Sequence, residues 1–327
     1  MGRSLNPGIS TRKAFGDYIL ELGIQNEHIV VLDGDISRSM YTVEFSRRFP
    51  ERHFNVGIAE QNQMAVAAGL SLTGYIPLVA SYAVFASMRA LEQVRTSICY
   101  PKLNVKIMAS HGGITPGNDG VTHQGIEDMG IMRTLPNMTV IMPSDGRSLK
   151  PLLKQAIEMD GPVYFRMTRD AVPFIYNEND EDFAIGKARL LKNGTDAAII
   201  AIGDMLQWAL QAQDILSGEG IQARVLDMHT VKPLDINAVI AAAEETGAIV
   251  TVEDHNMYGG LGSAVAEVVA ENCPVPVKRI ALRDTFAESG PYEKLLVKYG
   301  MSTEHICDAV RGVLARKQET AKQGDWY

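Results

Sequence analysis

At 327 residues the chain is long enough for two domains, each with its own core. Hydrophobic residues make up 46% of it and charged residues 21%, the balance of an ordinary globular protein. With 39 acidic against 31 basic side chains the net charge is −8, which argues against nucleic acid or an anionic membrane as a partner.

The three cysteines, Cys99, Cys273 and Cys307, are odd in number and show no CxxC spacing. That pattern suits a reducing compartment and no zinc site. Residues 1–15 lack the apolar core of a signal peptide, so the expected location is the cytoplasm. Residues 61–88 carry no charge, a length that could cross a bilayer. Gly69, Thr73, Gly74, Pro77 and Ser81 interrupt the run, so it reads as a buried helix, a turn and a short buried strand.

Ser10 and Thr11 are plausible caps for a first helix running to about Leu22. The apolar run from Ile29 to Leu32 predicts a buried strand that opens into Asp33, Gly34 and Asp35. A shorter strand is expected over Arg52–Val56, followed by a helix starting near Glu60, with Met64, Ala65, Ala68 and Leu72 at helical spacing. A strand over Ile76–Ser81 follows, then a helix from Phe85 to Cys99. The strand Val105–Ala109 ends in a long loop, Ser110 to Gln124, with four glycines and a proline. Strands over Met138–Met142 and Val163–Met167 complete the first half, and a linker is expected to begin at the polar stretch Tyr176–Asp182.

The second half repeats the alternation. Strands are expected over Ala197–Ile202, Ala223–Asp227, Ala248–Val252 and Pro276–Ile280. Helices are expected over Met205–Leu216 and Ile236–Glu245, the second capped by a turn over Thr230–Asp235. A further helix follows Gly262, and two helices close the chain. This alternation predicts an α/β fold of two domains, each a parallel sheet covered on both faces. Functional loops of such sheets gather at the carboxyl ends of the strands.

Several residues carry a chemical reading beside a plainer one. Glu60 at a helix start suits the positive end of the helix dipole, or a buried acid that exchanges a proton with a heterocyclic cofactor. Asp33 and Asp35 could hold Mg²⁺ beside a phosphate, or serve a turn. Tyr82 and Phe85 could stack on a planar ligand, or fill a core. The loop with His111, Asp119 and His123 is of a length that is usually functional. Its spacing fits none of the usual zinc patterns, but suits hydrogen bonds to a polyol or a proton shuttle. Arg169 could pair with a phosphate or with a surface carboxylate. Gly260 and Gly262 make an incomplete dinucleotide fingerprint, because Val265 stands where its third glycine belongs, and a tight strand-to-helix turn is preferred. His255 in that loop reads as a surface or capping histidine.

Taken together these residues resemble the second half of the transketolases, over nearly the whole chain. Gly57 to Gln61 looks like the segment carrying that family's cofactor-activating glutamate, and Gly117 to Gln124 is similar to its substrate loop. The resemblance implies a pyrimidine-binding domain over residues 1–182, a linker at 183–190 and a transketolase C-terminal domain over 191–327. It implies thiamine diphosphate as cofactor, contacted by Asp35, Glu60, Tyr82 and Phe85, with Glu60, His111 and His123 in catalytic roles. Arg12, Ser39, His111, Asp119, His123 and Arg169 would bind a sugar phosphate. The family's diphosphate domain carries a Gly-Asp-Gly motif, and none occurs here. A partner subunit is therefore expected to supply the diphosphate and Mg²⁺ half, in an assembly of two chains of each kind. The implied reaction moves a two-carbon ketol unit between sugar phosphates. Residues 231–235 and 253–255 look more like deoxyxylulose-phosphate synthases and 2-oxo-acid dehydrogenase β subunits, which remain the alternative.

Overall fold

A computed structural model describes residues 6–324. Two α/β layers carry the chain. The first sheet has seven strands in the order Thr230–Lys232, Thr139–Ile141, Val163–Arg166, Lys106–Ser110, Ile76–Tyr82, Ile29–Asp33 and His53–Asn55. Every pairing is parallel except the first, where Thr230–Lys232 runs antiparallel to Thr139–Ile141. Strands Ile29–Asp33 and Lys106–Ser110 are buried at every residue, which is why the first reads as an apolar run from Ile29 to Leu32 and the second carries Ile107, Met108 and Ala109 in succession.

The second sheet has five strands, Val277–Leu282, Ile249–Asn256, Ala197–Ala201, Ala223–Asp227 and Arg189–Lys192, parallel except at the last edge. A separate antiparallel ribbon joins Asn6–Ile9 to Val172–Phe174. It brings Thr11 against Thr168, whose backbone N–H donates to Thr11 Oγ1 at 2.7 Å.

The expected helices form, with local adjustments. Ser10 caps the first, Thr11–Gln25, by accepting from Lys13 N. A further helix that the sequence reading did not anticipate, Gly146–Glu158, has a reciprocal cap from Asp145 and Ser148. Residues 61–88 divide as expected, into the rest of helix Glu60–Leu72, the strand Ile76–Tyr82 and the start of the next helical segment. No helix among the described residues is long and apolar enough to cross a membrane. Phe85–Cys99 is helical but wound wide, as π turns at Phe85–Arg89 and Val94–Cys99 around a short α stretch. Such turns are often found at functional sites.

One expectation about the fold needs correction. Residues 230–232 are a strand, not part of a turn, and that strand belongs to the first sheet although it lies in the second half of the chain. Its antiparallel partner lies far away in sequence, so local pattern could not reveal it. The connecting stretch that begins at Tyr176 has neither helix nor strand up to Arg189, yet it is packed against both halves. Tyr176 is buried and its hydroxyl donates to Asp227 Oδ2 at 2.6 Å, while Asp145 Oδ2 accepts from Ile175 N and Tyr176 N. One apolar core then runs through both layers, from Leu32, Met64 and Val79 to Val140, Ile200 and Leu226.

Candidate active site

The carboxyl ends of the parallel strands in the first sheet converge on one rim. Asp33 ends one strand and leads into Asp35 and Ser39; Asn55 ends the next and leads into Glu60. Tyr82 ends the third, with Phe85 just beyond; Ser110 and Arg166 end two more and lead to His111 and Arg169. The rim is where an open parallel sheet places a ligand.

Glu60 opens the helix Glu60–Leu72 and is 6% exposed. No side chain caps this helix, so the carboxylate sits at the positive end of the dipole without a competing group. The Arg89 guanidinium, from the wide-turn segment, lies 3.3 Å from it. Three residues on, Gln63 is fully buried and donates from Nε2 to Leu32 O (3.1 Å) and Ala80 O (3.0 Å). Its Oε1 is buried with no hydrogen-bond partner. Glu60 and Gln63 line a cavity of about 200 Å³ with Ile36, Ile58, Tyr82, Phe85 and His123. Apolar and aromatic walls around a carboxylate and one unused acceptor suit a flat heterocycle bearing N–H groups.

A second group of residues adjoins the aromatic wall. The Tyr82 ring lies 4.0 Å from that of His111 and 5.8 Å from that of His123, and the Phe85 ring 5.7 Å from His123. The Tyr82 hydroxyl donates to Ser39 Oγ at 2.8 Å. Arg12 Nη1 donates to Ser39 O and Oγ at 2.8 and 2.9 Å, and Arg12 Nε to Arg169 O at 2.9 Å. Arg169 forms ion pairs with Asp119 (2.9 Å) and Asp170 (2.8 Å). Arg12, Ser39, Tyr82, His111, His123, Asp119 and Arg169 thus form one contact network although 157 positions separate its ends. Of the two readings of Arg169, the structure shows the surface ion pairs.

His111 is buried with a left-handed backbone (φ 63°), a conformation a non-glycine residue keeps only when its surroundings enforce it. Burial first, then Arg12, Arg169 and His123, pushes its imidazole down to about 3. The ring is therefore neutral near pH 7, with Nδ1 2.7 Å from Ser110 Oγ. A neutral histidine can both accept and donate a hydrogen bond, which suits sugar hydroxyls.

Asp35 stands apart. It is exposed with φ 65°, and its backbone N–H donates to Asn55 Oδ1 at 3.1 Å. The turn reading describes it, although it stays at the rim. Asp33 is buried and accepts from Ser37, Thr42 and His53, all at Oδ2. Burial would raise its carboxyl, but these three hydrogen bonds hold it below the usual range. It fastens the loop that carries Asp35 and Ser39. Among the described residues no group of three or more His, Cys, Asp or Glu side chains is placed to share a metal ion.

The glycine turn after Ile249–Asn256 is a helix start. Glu253 accepts from Leu261 N and Gly262 N at 2.7 Å each, and a Cβ on Gly260 would lie 2.1 Å from Glu253 Oε2. His255 is a capping residue, but buried rather than at the surface. Its Nε2 accepts from Gly130 N at 3.2 Å and its Nδ1 lies 2.7 Å from Asn256 O. Sequence reading missed Gln63, Arg89 and the pair Arg166–Asp128. Only Gln63 left a signal, one helical turn after Glu60 on the same face.

Comparison with known proteins decides the family. Residues 7–174 match the transketolase pyrimidine-binding domain, and residues 186–306 the transketolase C-terminal domain. The chain belongs to the transketolase family. It is 46% identical, over 91% of its length and 94% of the relative's, to a Methanocaldococcus jannaschii protein described as a transketolase C-terminal section. It is 44% identical, over 94% and 95%, to the 6-deoxy-6-sulfo-D-fructose transketolase subunit SqwH of a Clostridium species. Among solved structures it is similar to a split gene transketolase in an inactive beta4 tetramer, with 48% identity, a TM-score of 0.87, and coverage of 95% of this chain and 99% of that one. These relatives make the chain a split transketolase-family subunit.

Proposed function

We propose that this chain is the pyrimidine-binding half of a thiamine-diphosphate-dependent transketolase. It moves a two-carbon ketol unit from a ketose phosphate to an aldose phosphate, and a separate subunit carries the diphosphate and Mg²⁺ half. The working enzyme is an assembly of two chains of each kind, inactive without the partner, in the cytoplasm. The observation that carries this reading is the aromatic-walled cavity lined by Glu60 and by Gln63, whose buried Oε1 has no hydrogen-bond partner. Its donor set fits an aminopyrimidine: an acid for a ring nitrogen, an acceptor for an N–H and two aromatic walls. The Methanocaldococcus relative's description as a C-terminal section and the split gene of the solved neighbour support a divided enzyme. All three cysteines are free, in keeping with a reducing compartment.

Thiamine diphosphate, when bound, supplies the nucleophilic carbon and the electron sink that carbon–carbon cleavage needs. Glu60, at its water-poor position at the helix start, would hold and exchange a proton toward a pyrimidine ring nitrogen bound there. Tyr82 and Phe85 would wall the ring. His111 and His123 hydrogen-bond sugar hydroxyls and move protons between them and the reacting carbonyl. Arg12, held by Ser39, and Arg169 bind the phosphate, with Asp119 exchanging Arg169 for a sugar hydroxyl as substrate enters.

The test is reconstitution. This chain, co-purified with a subunit carrying Gly-Asp-Gly, is given thiamine diphosphate, Mg²⁺, xylulose 5-phosphate and ribose 5-phosphate, and in parallel pyruvate with an artificial electron acceptor. Ketol transfer by the complex but by neither chain alone is expected. Turnover of pyruvate in its place would favour the 2-oxo-acid dehydrogenase alternative, and tight thiamine diphosphate binding by this chain alone would overturn the divided site.

A further inference from the structure

The loop that carries His111, Asp119 and His123 is held by the second half of the chain, through residues that line no part of the cavity. Asp254, near the end of strand Ile249–Asn256, is 1% exposed. Its carboxylate accepts from Ile114 N with both oxygens, at 3.0 and 2.9 Å. A Cβ on Gly113 (φ +66°) would lie 2.1 Å from Asp254 Oδ2, so the carboxylate occupies the space that only glycine leaves.

Arg166 locks this contact from the first sheet. It is fully buried and donates to Asp254 O (3.0 Å), Gly125 O (2.7 Å) and Asp128 Oδ2 (2.9 Å). The two limbs of the loop are tied where it begins and ends, by Gly113 N to Gly125 O at 2.6 Å and Gly125 N to His111 O at 3.3 Å. From outside, Gly290 N donates to Gly117 O and Gln124 Nε2 to Glu288 O, each at 3.3 Å. The outer contacts are long and reach backbone through one neutral bond each. The inner one is shorter, fully buried and made by both carboxyl oxygens; burial first, then Asp204, pushes that carboxyl up to about 8, and the contact fixes the loop where it leaves the first sheet.

We infer that Asp254 is a positioning residue for the active-site loop: by fixing Ile114 and Gly113 it sets where His111 and His123 stand against substrate. The inference rests on the transketolase reading for its kinetic part only. Its structural part stands on the contacts themselves.

Hydrogen exchange on the isolated full chain tests the structural part. In Asp254→Ala, amides of residues 112–126 should exchange at least tenfold faster while those of 197–201 are unchanged. Asp254→Asn, which keeps an acceptor oxygen for Ile114 N, should stay within threefold of wild type. Unchanged exchange in the loop of Asp254→Ala overturns the proposal, and so does faster exchange throughout both sheets, which would make Asp254 a residue of the fold as a whole. With the partner subunit, Asp254→Ala should lower kcat/KM for the aldose phosphate at least tenfold, and Asp254→Asn should restore it to within threefold of wild type. An unchanged kcat/KM in Asp254→Ala, or no rescue by Asp254→Asn, overturns the positioning role. A wild-type complex without ketol transfer would refute the functional reading, while the exchange data would still decide whether Asp254 holds the loop.

Discussion

Replacing Glu60 by glutamine separates proton exchange from cavity shape. The two side chains are nearly isosteric, so the cavity of about 200 Å³ keeps its walls. What changes is charge. In the fold that charge meets Arg89 at 3.3 Å, and the Arg89 side chain is 53% exposed. Solvent screens such a pair, so losing it costs at most about 1 kcal/mol. Losing a negative charge at the helix start adds roughly 0.3–1 kcal/mol. The variant should therefore fold, with stability within about 2 kcal/mol of wild type. Loss of a positioned acid–base group lowers kcat by about 10²–10⁴, equivalent to roughly 3–5 kcal/mol of transition-state stabilisation. The catalytic loss should thus exceed the loss in stability. The assay is ketol transfer in the reconstituted complex at saturating thiamine diphosphate and Mg²⁺, beside urea unfolding of the chain. A kcat within threefold of wild type would refute the proton-exchange role. A variant that no longer bound cofactor would instead move Glu60 from proton exchange to binding.

Gln63→Leu leaves the carbonyls of Leu32 and Ala80 without their donor, so stability should fall by about 1–3 kcal/mol for each carbonyl left unpaired, read by urea unfolding. Arg166→Met strands a buried Asp128 carboxylate and should cost about 3–5 kcal/mol, with Asp128→Asn in the same chain restoring part of it. The Asp227 carboxyl is pushed up from 3.8 to about 7, by burial first, against hydrogen bonds from Tyr176 and Ser144, with Asp145 adding to the rise. Between those values the folded chain keeps a proton that the unfolded chain has lost, so this group's contribution to stability falls as pH rises from about 4 to about 7, by about 4 kcal/mol in all; unfolding curves of Asp227→Asn should lack that slope. Gly260→Ala pushes a methyl into the Glu253 carboxylate that caps the following helix, and should lower the unfolding midpoint by an amount equivalent to about 1–3 kcal/mol.

How far the sequence was legible follows from where each feature's cause lies. Strands such as Ile29–Asp33 declare themselves because burial on both faces demands an unbroken apolar run. Helix starts at Ser10 and Asp235 were legible because a cap acts within three residues of itself; the start at Asp145 is equally local but went unread. The strand Thr230–Lys232 stayed hidden because its partner, Thr139–Ile141, lies some ninety positions earlier and nothing local marks the pairing. The wide turns of Phe85–Cys99 keep apolar residues close to ordinary helical spacing, so the period did not betray them. At the site, Glu60, Tyr82 and the glycine loop were visible because their neighbours are turn residues at strand ends. Gln63, Arg166 and Asp254 were not, because a buried polar side chain shows its purpose only when its distant partner is known.

That last group explains why two halves of one chain are needed for one rim. The first sheet provides the strand ends, and these alone would place Glu60, Tyr82 and Arg169. They would not by themselves order the loop that runs from His111 to His123, which leaves the sheet at Ser110 and is closed by a bridge between Gly112 and Gly125. A loop rich in glycine loses much conformational freedom when it is ordered. Here Asp254, Glu288 and Gly290 hold it from the second half, while Thr230–Lys232 extends the first sheet and the core passes between both layers without a break. The second half is therefore packed against the first as well as joined to it by the segment after Phe174. It forms the wall against which the substrate loop is ordered, and the position of His111 depends on residues more than 140 positions further along the chain.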